Sequence, residues 1–382
     1  MRRDGLIRSF ARWPSVRVMM HGNRGFTMAL LAATALGLSA NTTALATALV
    51  RGSTPRGFEG QQGPPARAVP GDAITTILDA FRSHSVVALG EGPHGNQQGH
   101  VFRLSLVRDP RFAMLVNDIM VEFGSGRYQD VMDRFVRGED VPYDTLRRVW
   151  QDTTVPTAVW DRPIYEEFFR AIRLRNGSLP PARRLRVLLG DAPIDWDGVK
   201  GPEDVRQWGM RKDPYAGASV KREVLAKGRR VLIIYGDGHL QGRGFAPASL
   251  INVLERPPQA TKVFNIASSS APLKRLQPDV EGWRVPSVVR VRATVLGAAP
   301  YASFYPLPPA EGWNAVRMED QFDAILYLGP SIGAAGPQIP PALCRDPAYV
   351  KMRLRRLELN GGSLGKAGIE TLKALCPIED AP

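Results

Sequence analysis

The sequence lacks several of the features that most directly assign a function. It has only two cysteines, which do not form a zinc site on their own, and five histidines. The phosphate-loop pattern Gly-x-x-x-x-Gly-Lys-Ser/Thr and the metalloprotease pattern His-Glu-x-x-His are absent. The glycines at 236–242 have one residue too many before the last glycine to match the dinucleotide fingerprint. These absences argue against P-loop, zincin and dinucleotide-binding proteins.

Positive charge is abundant but is not arranged in a pattern typical of nucleic-acid binding. The formal net charge is +13, and six arginines fall within the first 24 residues. Other arginines occur in scattered pairs, and no basic stripe is interleaved with aromatic residues. We therefore expect no nucleic-acid partner, and we expect a solvated face or loose affinity for anionic surfaces.

The N-terminal region predicts export. A positive flank precedes an apolar stretch without charge at 28–40, and Ala-Leu-Ala at 44–46 fits an Ala-x-Ala cleavage pattern. The strictly apolar part is shorter than a spanning helix needs, although 25–50 as a whole could serve as an N-terminal membrane anchor. We expect a periplasmic or extracellular protein. Cys344 and Cys376 agree with this expectation, since a disulfide is favoured in an oxidising compartment.

The organisation of the chain predicts four regions. Residues 1–50 form a basic region with a signal peptide or anchor, and 51–71, rich in Gly, Pro, Gln and Arg, form a disordered linker. Residues 72–335 form the main folded domain, and 336–382 form a helical tail with the disulfide. Apolar strand patterns alternate with helical ones across 72–335, which predicts an α/β fold with a mostly parallel central sheet flanked by helices.

Two predicted strands end in the same kind of motif. Residues 86–95 read Val-Val-Ala-Leu-Gly-Glu-Gly-Pro-His-Gly, and 231–239 read Val-Leu-Ile-Ile-Tyr-Gly-Asp-Gly-His. The carboxyl ends of parallel strands open onto the ligand crevice of α/β proteins. Glu91, His94 and His239 are therefore predicted to lie at one edge of the sheet.

A second carboxylate, Glu122, follows the next predicted strand. If the two strands are adjacent, Glu122 lies near Glu91 and His94, and neighbouring carboxylates shift each other's pKa values apart. Arg103, on the following helix, could hold a carboxylate or an oxyanion. Three further residues are open candidates for the site, although a structural role is favoured for each: His100, Asp191 and Asp237.

These residues resemble a known family. Gly90–Gly95 is similar to the Gly-Glu-x-x-His-Gly signature of erythromycin esterase-like proteins, which share a superfamily with ChaN-like haem-binding lipoproteins and the Tiki/TraB proteins. The resemblance extends over roughly 72–330. It implies that Arg103, Glu122 and His239 fall at the family's active-site positions, and that Trp160 and Asn176 match further family positions.

The resemblance implies that 72–335 is a hydrolase-like catalytic domain, which cleaves an ester, lactone or amide bond in a small-molecule or peptide substrate. In one mechanism His94 activates water, Glu91 or Glu122 orients it, and Arg103 and His239 support the oxyanion. In a Tiki-like alternative Glu91, His94, Glu122 and His239 bind a divalent metal such as Mn, Zn or Fe. A haem- or iron-binding protein of the ChaN type and an inactive module that keeps the fold are the remaining alternatives.

Overall fold

The computed structural model describes residues 64–244, 246–269, 273–304, 315–330 and 339–376. The predicted signal segment at 25–50 and the larger part of the predicted linker lie outside these residues. Within them no helix has both the length and the apolar character needed to cross a membrane.

A single eight-stranded sheet forms the centre of the described part of the chain, in the order β1-β7-β8-β6-β2-β5-β3-β4. Six strands are mutually parallel: β2, β3, β4, β5, β6 and β8. Beyond β8, β7 pairs antiparallel with β8, and β1 pairs antiparallel with β7. The strands are β1 Pro70–Asp72, β2 Val86–Gly90, β3 Asp118–Ser125, β4 Arg186–Asp191, β5 Val231–Tyr235, β6 Val263–Ser269, β7 Ser287–Arg290 and β8 Ala324–Tyr327. The predicted α/β class is confirmed.

Helices cover both faces of the sheet. In chain order they are α1 Ala73–Ala80, α2 Gln97–Arg108, α3 Phe112–Leu115, α4 Gln129–Arg137, α5 Tyr143–Gln151, α6 Pro163–Gly177, α7 Pro202–Glu223, α8 Asp237–Leu240, α9 Leu250–Glu255, α10 Leu273–Leu276, α11 Val295–Ala298, α12 Met318–Gln321, α13 Pro341–Cys344, α14 Pro347–Asn360 and α15 Gly362–Leu375. Polar side chains accept from free N–H groups at several helix starts, for example Asp72 at α1 and Asn96 at α2.

Two apolar cores lie on opposite faces of the sheet because strand side chains alternate. Val87 and Leu89 of β2 pack with helices α1 to α6 on one face. Val86 and Ala88 of the same strand pack with α7 and α9 on the other. The parallel strands are buried on both faces, which explains why they read as continuous apolar runs rather than alternating ones.

Two boundaries differ from the sequence prediction. The apolar pattern of the sequence predicts a helix in this region only at 221–226, whereas α7 runs from Pro202 to Glu223 and contains Pro214. Proline is unfavourable inside a helix, which hid this element, although Pro202 with two acids in the first turn is a helix-start signal. The predicted linker also ends early, because Ala68 is buried against Gln277 and Pro70 already lies in β1.

The strand order places the predicted site. Strands β2 and β3 are not adjacent as expected, since β5 pairs with both: Val231 is in register with Val86 and with Asp118. The chain segment after β5 therefore emerges between the segments after β2 and β3. This order brings the two glycine-rich motifs, 90–95 and 236–239, together at the carboxyl edge of the sheet. We call the opening between them the mouth.

The C-terminal tail is a helical unit closed by the predicted disulfide. Helices α14 and α15 pack antiparallel around their own small apolar cluster, and Cys344 and Cys376 are bonded across 32 residues of chain. The turn between the helices contains Gly361 in the left-handed region (φ 63°), a conformation that glycine adopts without strain.

We expect the double variant Cys344→Ser/Cys376→Ser to unfold at lower denaturant concentration than the wild type. Opening a loop of this size removes about 3–4 kcal/mol of stabilisation. Urea titration followed by circular dichroism measures the loss, and reduced wild type serves as the matched control. Equal midpoints for oxidised wild type, reduced wild type and the variant would contradict a stabilising role of the disulfide.

Candidate active site

Glu91 and His94 form a hydrogen-bonded pair at the end of β2. The backbone N–H of Glu91 donates to the carbonyl of Tyr235 at 2.7 Å, which fixes the turn against β5. Oε2 of Glu91 then lies 2.9 Å from Nδ1 of His94. The Glu91 side chain is fully buried, whereas that of His94 is 25% exposed. The pair therefore links a buried carboxylate to an imidazole that reaches the surface of the mouth.

Arg103 and Tyr165 hold Glu91 from behind. NH2 of Arg103 lies 3.3 Å from Oε1 of Glu91, and the arginine side chain is only 4% exposed. The Tyr165 hydroxyl accepts from the backbone N–H of Gly95 at 2.9 Å and also hydrogen bonds Glu91. The expected role of Arg103 as an oxyanion ligand is not what this geometry supports, because its guanidinium is buried on Glu91 rather than directed into the mouth.

Glu122 lies within β3 and receives three donors. Nζ of Lys212 donates to Oε1 at 3.0 Å, and Nε2 of His239 lies 3.2 Å from the same oxygen. The backbone N–H of Gly236 donates to Oε2 at 2.8 Å. Both oxygens of this buried carboxylate are thus engaged by the protein itself.

His239 is held between two carboxylates. Besides Glu122, it contacts Asp213, whose Oδ1 lies 2.7 Å from Nδ1 of the ring. Asp213 and the neighbouring Lys212 both come from α7, the helix that the sequence pattern did not reveal. The His239 side chain is 18% exposed, so part of this imidazole also faces the mouth.

Gly236 separates the two pairs. A Cβ at this position would lie 3.0 Å from Cε1 of His94 and 3.2 Å from Oε2 of Glu122, so both side chains press against its α-carbon. The structure therefore brings Glu91, His94, Glu122 and His239 together around Gly236, which directly follows β5.

The Glu91–His94 pair holds a negative carboxylate and a basic imidazole. Burial alone raises the pKa of Glu91, but the Arg103 guanidinium and the His94 hydrogen bond outweigh it and lower that pKa below its ordinary value. Burial alone lowers the pKa of His94, but the hydrogen bond and charge of Glu91 outweigh it and raise that pKa. Because an ionised carboxylate only accepts, Nδ1 of His94 carries the proton and Nε2 is its basic nitrogen.

The second pair is fixed in its charged form. Burial raises the pKa of Glu122, yet Lys212 and His239 hold it well below its ordinary value. Burial lowers the pKa of His239, yet Asp213 and Glu122 raise it to about 10. At neutral pH the site thus contains an imidazolium at His239, beside an imidazole at His94 whose pKa lies above its ordinary value.

Asp191 completes the charge network as a structural acceptor. It receives the backbone N–H and hydroxyl of Thr154 at 2.6 and 2.8 Å, and Oδ2 lies 3.4 Å from Nζ of Lys212. Burial raises its pKa above the ordinary value despite the nearby ammonium. Asp191 caps no helix, and its contact with the mouth runs through Lys212.

The expected metal-binding set is not found. Among the described residues no group of three or more His, Cys, Asp or Glu side chains is arranged to hold a metal ion. The physical reason is visible at Glu122, where the Lys212 ammonium already supplies the positive charge that a cation would bring. The residues present do not fit the metal-dependent alternative.

The other predicted residues have structural places. His100 is buried and its Nε2 lies 3.0 Å from Glu167, away from the mouth. Asp237 begins α8 and lies against Gly90. Trp160 contacts the His94 ring edge-on, with 4.6 Å between the ring centroids. The Asn176 side-chain amide hydrogen bonds the backbone of Val136 and Leu185.

Sequence reasoning missed Lys212, Asp213, Thr154 and Tyr165. Lys212 and Asp213 could have been found through the start signal of α7, but Thr154 and Tyr165 carry no local signal.

A Gly-x-Ser-x-Gly match occurs at 361–365, in the C-terminal tail. Its Ser363 is exposed and follows helix α14, so it does not form the strand-to-helix turn of a serine-hydrolase nucleophile.

Comparisons with known proteins show similarity only at the level of solved structures. No family model matches the chain, and no curated protein matches it. A protein from Bacillus cereus is 12% identical with a TM-score of 0.42, covering 76% of this chain and 98% of that one. ChaN of Campylobacter jejuni, described with cofacial heme binding, is 12% identical with a TM-score of 0.38, covering 66% and 90%. The type III effector HopBA1 is 12% identical with a TM-score of 0.37, covering 71% and 99%. The likeness concerns the fold, and no activity follows from it.

The raised pKa of His239 predicts a pH-dependent stability. The folded state binds the proton more tightly than the unfolded state, so this stabilisation is complete below about pH 6.5 and is lost as pH rises towards 10. We expect the free energy of unfolding of the wild type to fall across this interval more steeply than that of His239→Gln. Urea titrations at several pH values measure the difference.

The matched control is His84→Gln, which changes a histidine in the turn after α1 and should keep the wild-type slope. Parallel pH profiles for the wild type and His239→Gln would show that His239 is not held as an imidazolium.

Proposed function

We propose that this protein is an exported hydrolase of an ester, lactone or amide bond, with His94 as the general base that activates water. The observation that carries the proposal is the Glu91–His94 pair: a buried carboxylate fixes Nδ1 at 2.9 Å, while the ring itself is partly exposed at the mouth of the sheet. Among the described residues Nε2 makes no hydrogen bond, so its lone pair is available to a water molecule.

The hydrolytic step follows from this arrangement. Nε2 of His94 removes a proton from water as its oxygen bonds to the substrate carbonyl carbon, and the carbonyl electrons move onto oxygen. Glu91 stabilises the imidazolium that forms at His94. When the tetrahedral intermediate collapses, the imidazolium returns the proton to the leaving alkoxide or amine, and His94 is regenerated as a neutral base.

His239 would stabilise the developing oxyanion by its charge. Its imidazolium is fixed by Asp213 and Glu122 before substrate binds, so no reorganisation is needed during the reaction. Arg103 acts indirectly, because its guanidinium keeps Glu91 ionised and in place against His94. This assignment differs from the sequence-based one, in which Arg103 itself supported the oxyanion.

The substrate class stays broad. The mouth combines fixed charge at His239 with the neighbouring half-buried segment 155–159, which leads to the buried Trp160 behind His94. This combination suits a small molecule or peptide that presents a carbonyl beside an apolar group. Export is proposed from the N-terminal sequence pattern, and the disulfide between Cys344 and Cys376 is compatible with it.

We expect His94→Asn to reduce kcat/KM by about 10²–10⁴-fold on a substrate identified from an ester, lactone and amide panel. In the wild type the rate should rise with pH, since the base works in its neutral form, and the midpoint should lie above the ordinary histidine pKa. Glu91→Gln should move that midpoint to lower pH. Stopped assays across pH 5–9 measure both effects.

His84→Asn is the control that removes an imidazole away from the mouth and should keep wild-type activity. The panel is run with and without chelator, and we expect equal rates. Full activity of a folded His94→Asn variant would overturn the general-base assignment. A Soret band on haem titration without any hydrolysis would favour a haem-binding protein instead.

A further inference from the structure

The C-terminal tail joins the catalytic domain through a buried arginine–aspartate pair. Nε and NH2 of Arg353 donate to Oδ2 of Asp161 at 3.1 and 2.7 Å. The two side chains are 1% and 0% exposed. The Tyr349 hydroxyl donates to the same oxygen at 2.6 Å, and the Gln151 amide donates to Oδ1 at 3.1 Å. Asp161 is thus held both by the tail helix and by Gln151, at the start of the segment 151–161.

A second arginine of the same helix reinforces the junction. NH1 of Arg356 donates to the carbonyl of Gln151 at 2.6 Å, and NH2 pairs with Asp152. NH1 of Arg353 donates to the same carbonyl at 3.2 Å. Helix α14 thus binds the first residues of the segment as well as its last.

The segment between these anchors contacts both halves of the candidate active site. Trp160, next to Asp161, lies edge-on against His94 with centroids 4.6 Å apart. Thr154, two residues after Asp152, binds Asp191 through its backbone and hydroxyl. Asp191 in turn contacts Lys212, the partner of Glu122. One short segment therefore supports the His94 side and the Glu122 side together.

We propose that Arg353 and Arg356 are positioning residues of the active site: through Asp161 and Asp152 they hold the segment 151–161 so that Trp160 orients His94 and Thr154 orients Asp191. The proposal deepens the proposed hydrolase function, on which its catalytic meaning rests. It makes the disulfide-closed tail part of the active-site framework.

The chemistry of the junction favours positioning over simple adhesion. Apolar contacts also attach the tail, since Ala158 packs on the tail cluster and Leu359 packs on the cluster that contains Val205. Attachment therefore does not rest on the two desolvated arginine pairs alone. Arg353 approaches Asp161 through two nitrogens, Nε and NH2, and this planar fork fixes direction as well as distance. A lysine would keep the charge but lose this fork.

The test follows the His94 imidazole directly by NMR in the full chain. We expect Arg353→Lys and the milder Tyr349→Phe to shift and broaden the His94 ring resonances, because the aromatic edge of Trp160 moves relative to them. The chain has five histidines, so His94→Gln assigns the signal. His84, in the turn after α1, is an internal reference that should not move.

Arg355→Met is the matched control, since Arg355 lies on the same helix but is 58% exposed. Its guanidinium makes a long surface ion pair of 3.9 Å with Asp197, which is not part of the junction. It should leave His94 unchanged. On a turned-over substrate, Arg353→Lys should lower kcat about tenfold with little change in KM. Circular dichroism establishes that each variant is folded.

Unchanged His94 resonances in folded Arg353→Lys and Tyr349→Phe would overturn the positioning role. If Arg353→Lys does not fold, Tyr349→Phe alone decides, since it removes one hydroxyl and keeps the ring. If the wild type hydrolyses nothing, the proposed function fails, but the NMR comparison still tests whether the tail positions His94.

Discussion

The candidate site depends on the balance between buried carboxylates and buried cations. Burying an ionised carboxylate without a partner is prohibitive, and removing one member of a buried pair typically costs about 3–5 kcal/mol. Within the described residues each acid at the mouth has its cation: Arg103 on Glu91, Lys212 between Glu122 and Asp191, and His239 between Glu122 and Asp213. Without Lys212 in particular, Glu122 and Asp191 could not both be buried at this edge.

The strand order turns this balance into a site with two different imidazoles. Because β5 lies between β2 and β3, Gly236 at the end of β5 lies between His94 and Glu122. Its lack of a side chain leaves room for both groups. His239, three residues later, then reaches Glu122 from the β5 side. His94 is hydrogen bonded to one carboxylate, that of Glu91, whereas His239 lies between two carboxylates, which raise its pKa to about 10.

The sequence was informative where chemistry and strand end coincide. Glu91, His94 and His239 follow apolar runs directly, and the general rule that strand ends line the crevice was enough to group them. Lys212 and Asp213 were not predicted because Pro214 interrupts the helical pattern around them. The insertion of β5 between β2 and β3 has no local signal either, since strand order is set by tertiary packing.

The fate of Arg103 shows why residue type and position alone do not assign a role. Nine residues after His94, on the next helix, it was equally compatible with binding a substrate oxyanion or a protein carboxylate. Its burial decides the matter, because a guanidinium that is 4% exposed and held on Glu91 has no free face for a substrate. The positive charge that does reach the mouth belongs to His239, whose neighbouring carboxylates raise its pKa to about 10. In the proposed mechanism, proton transfer therefore falls to His94 and charge stabilisation to His239.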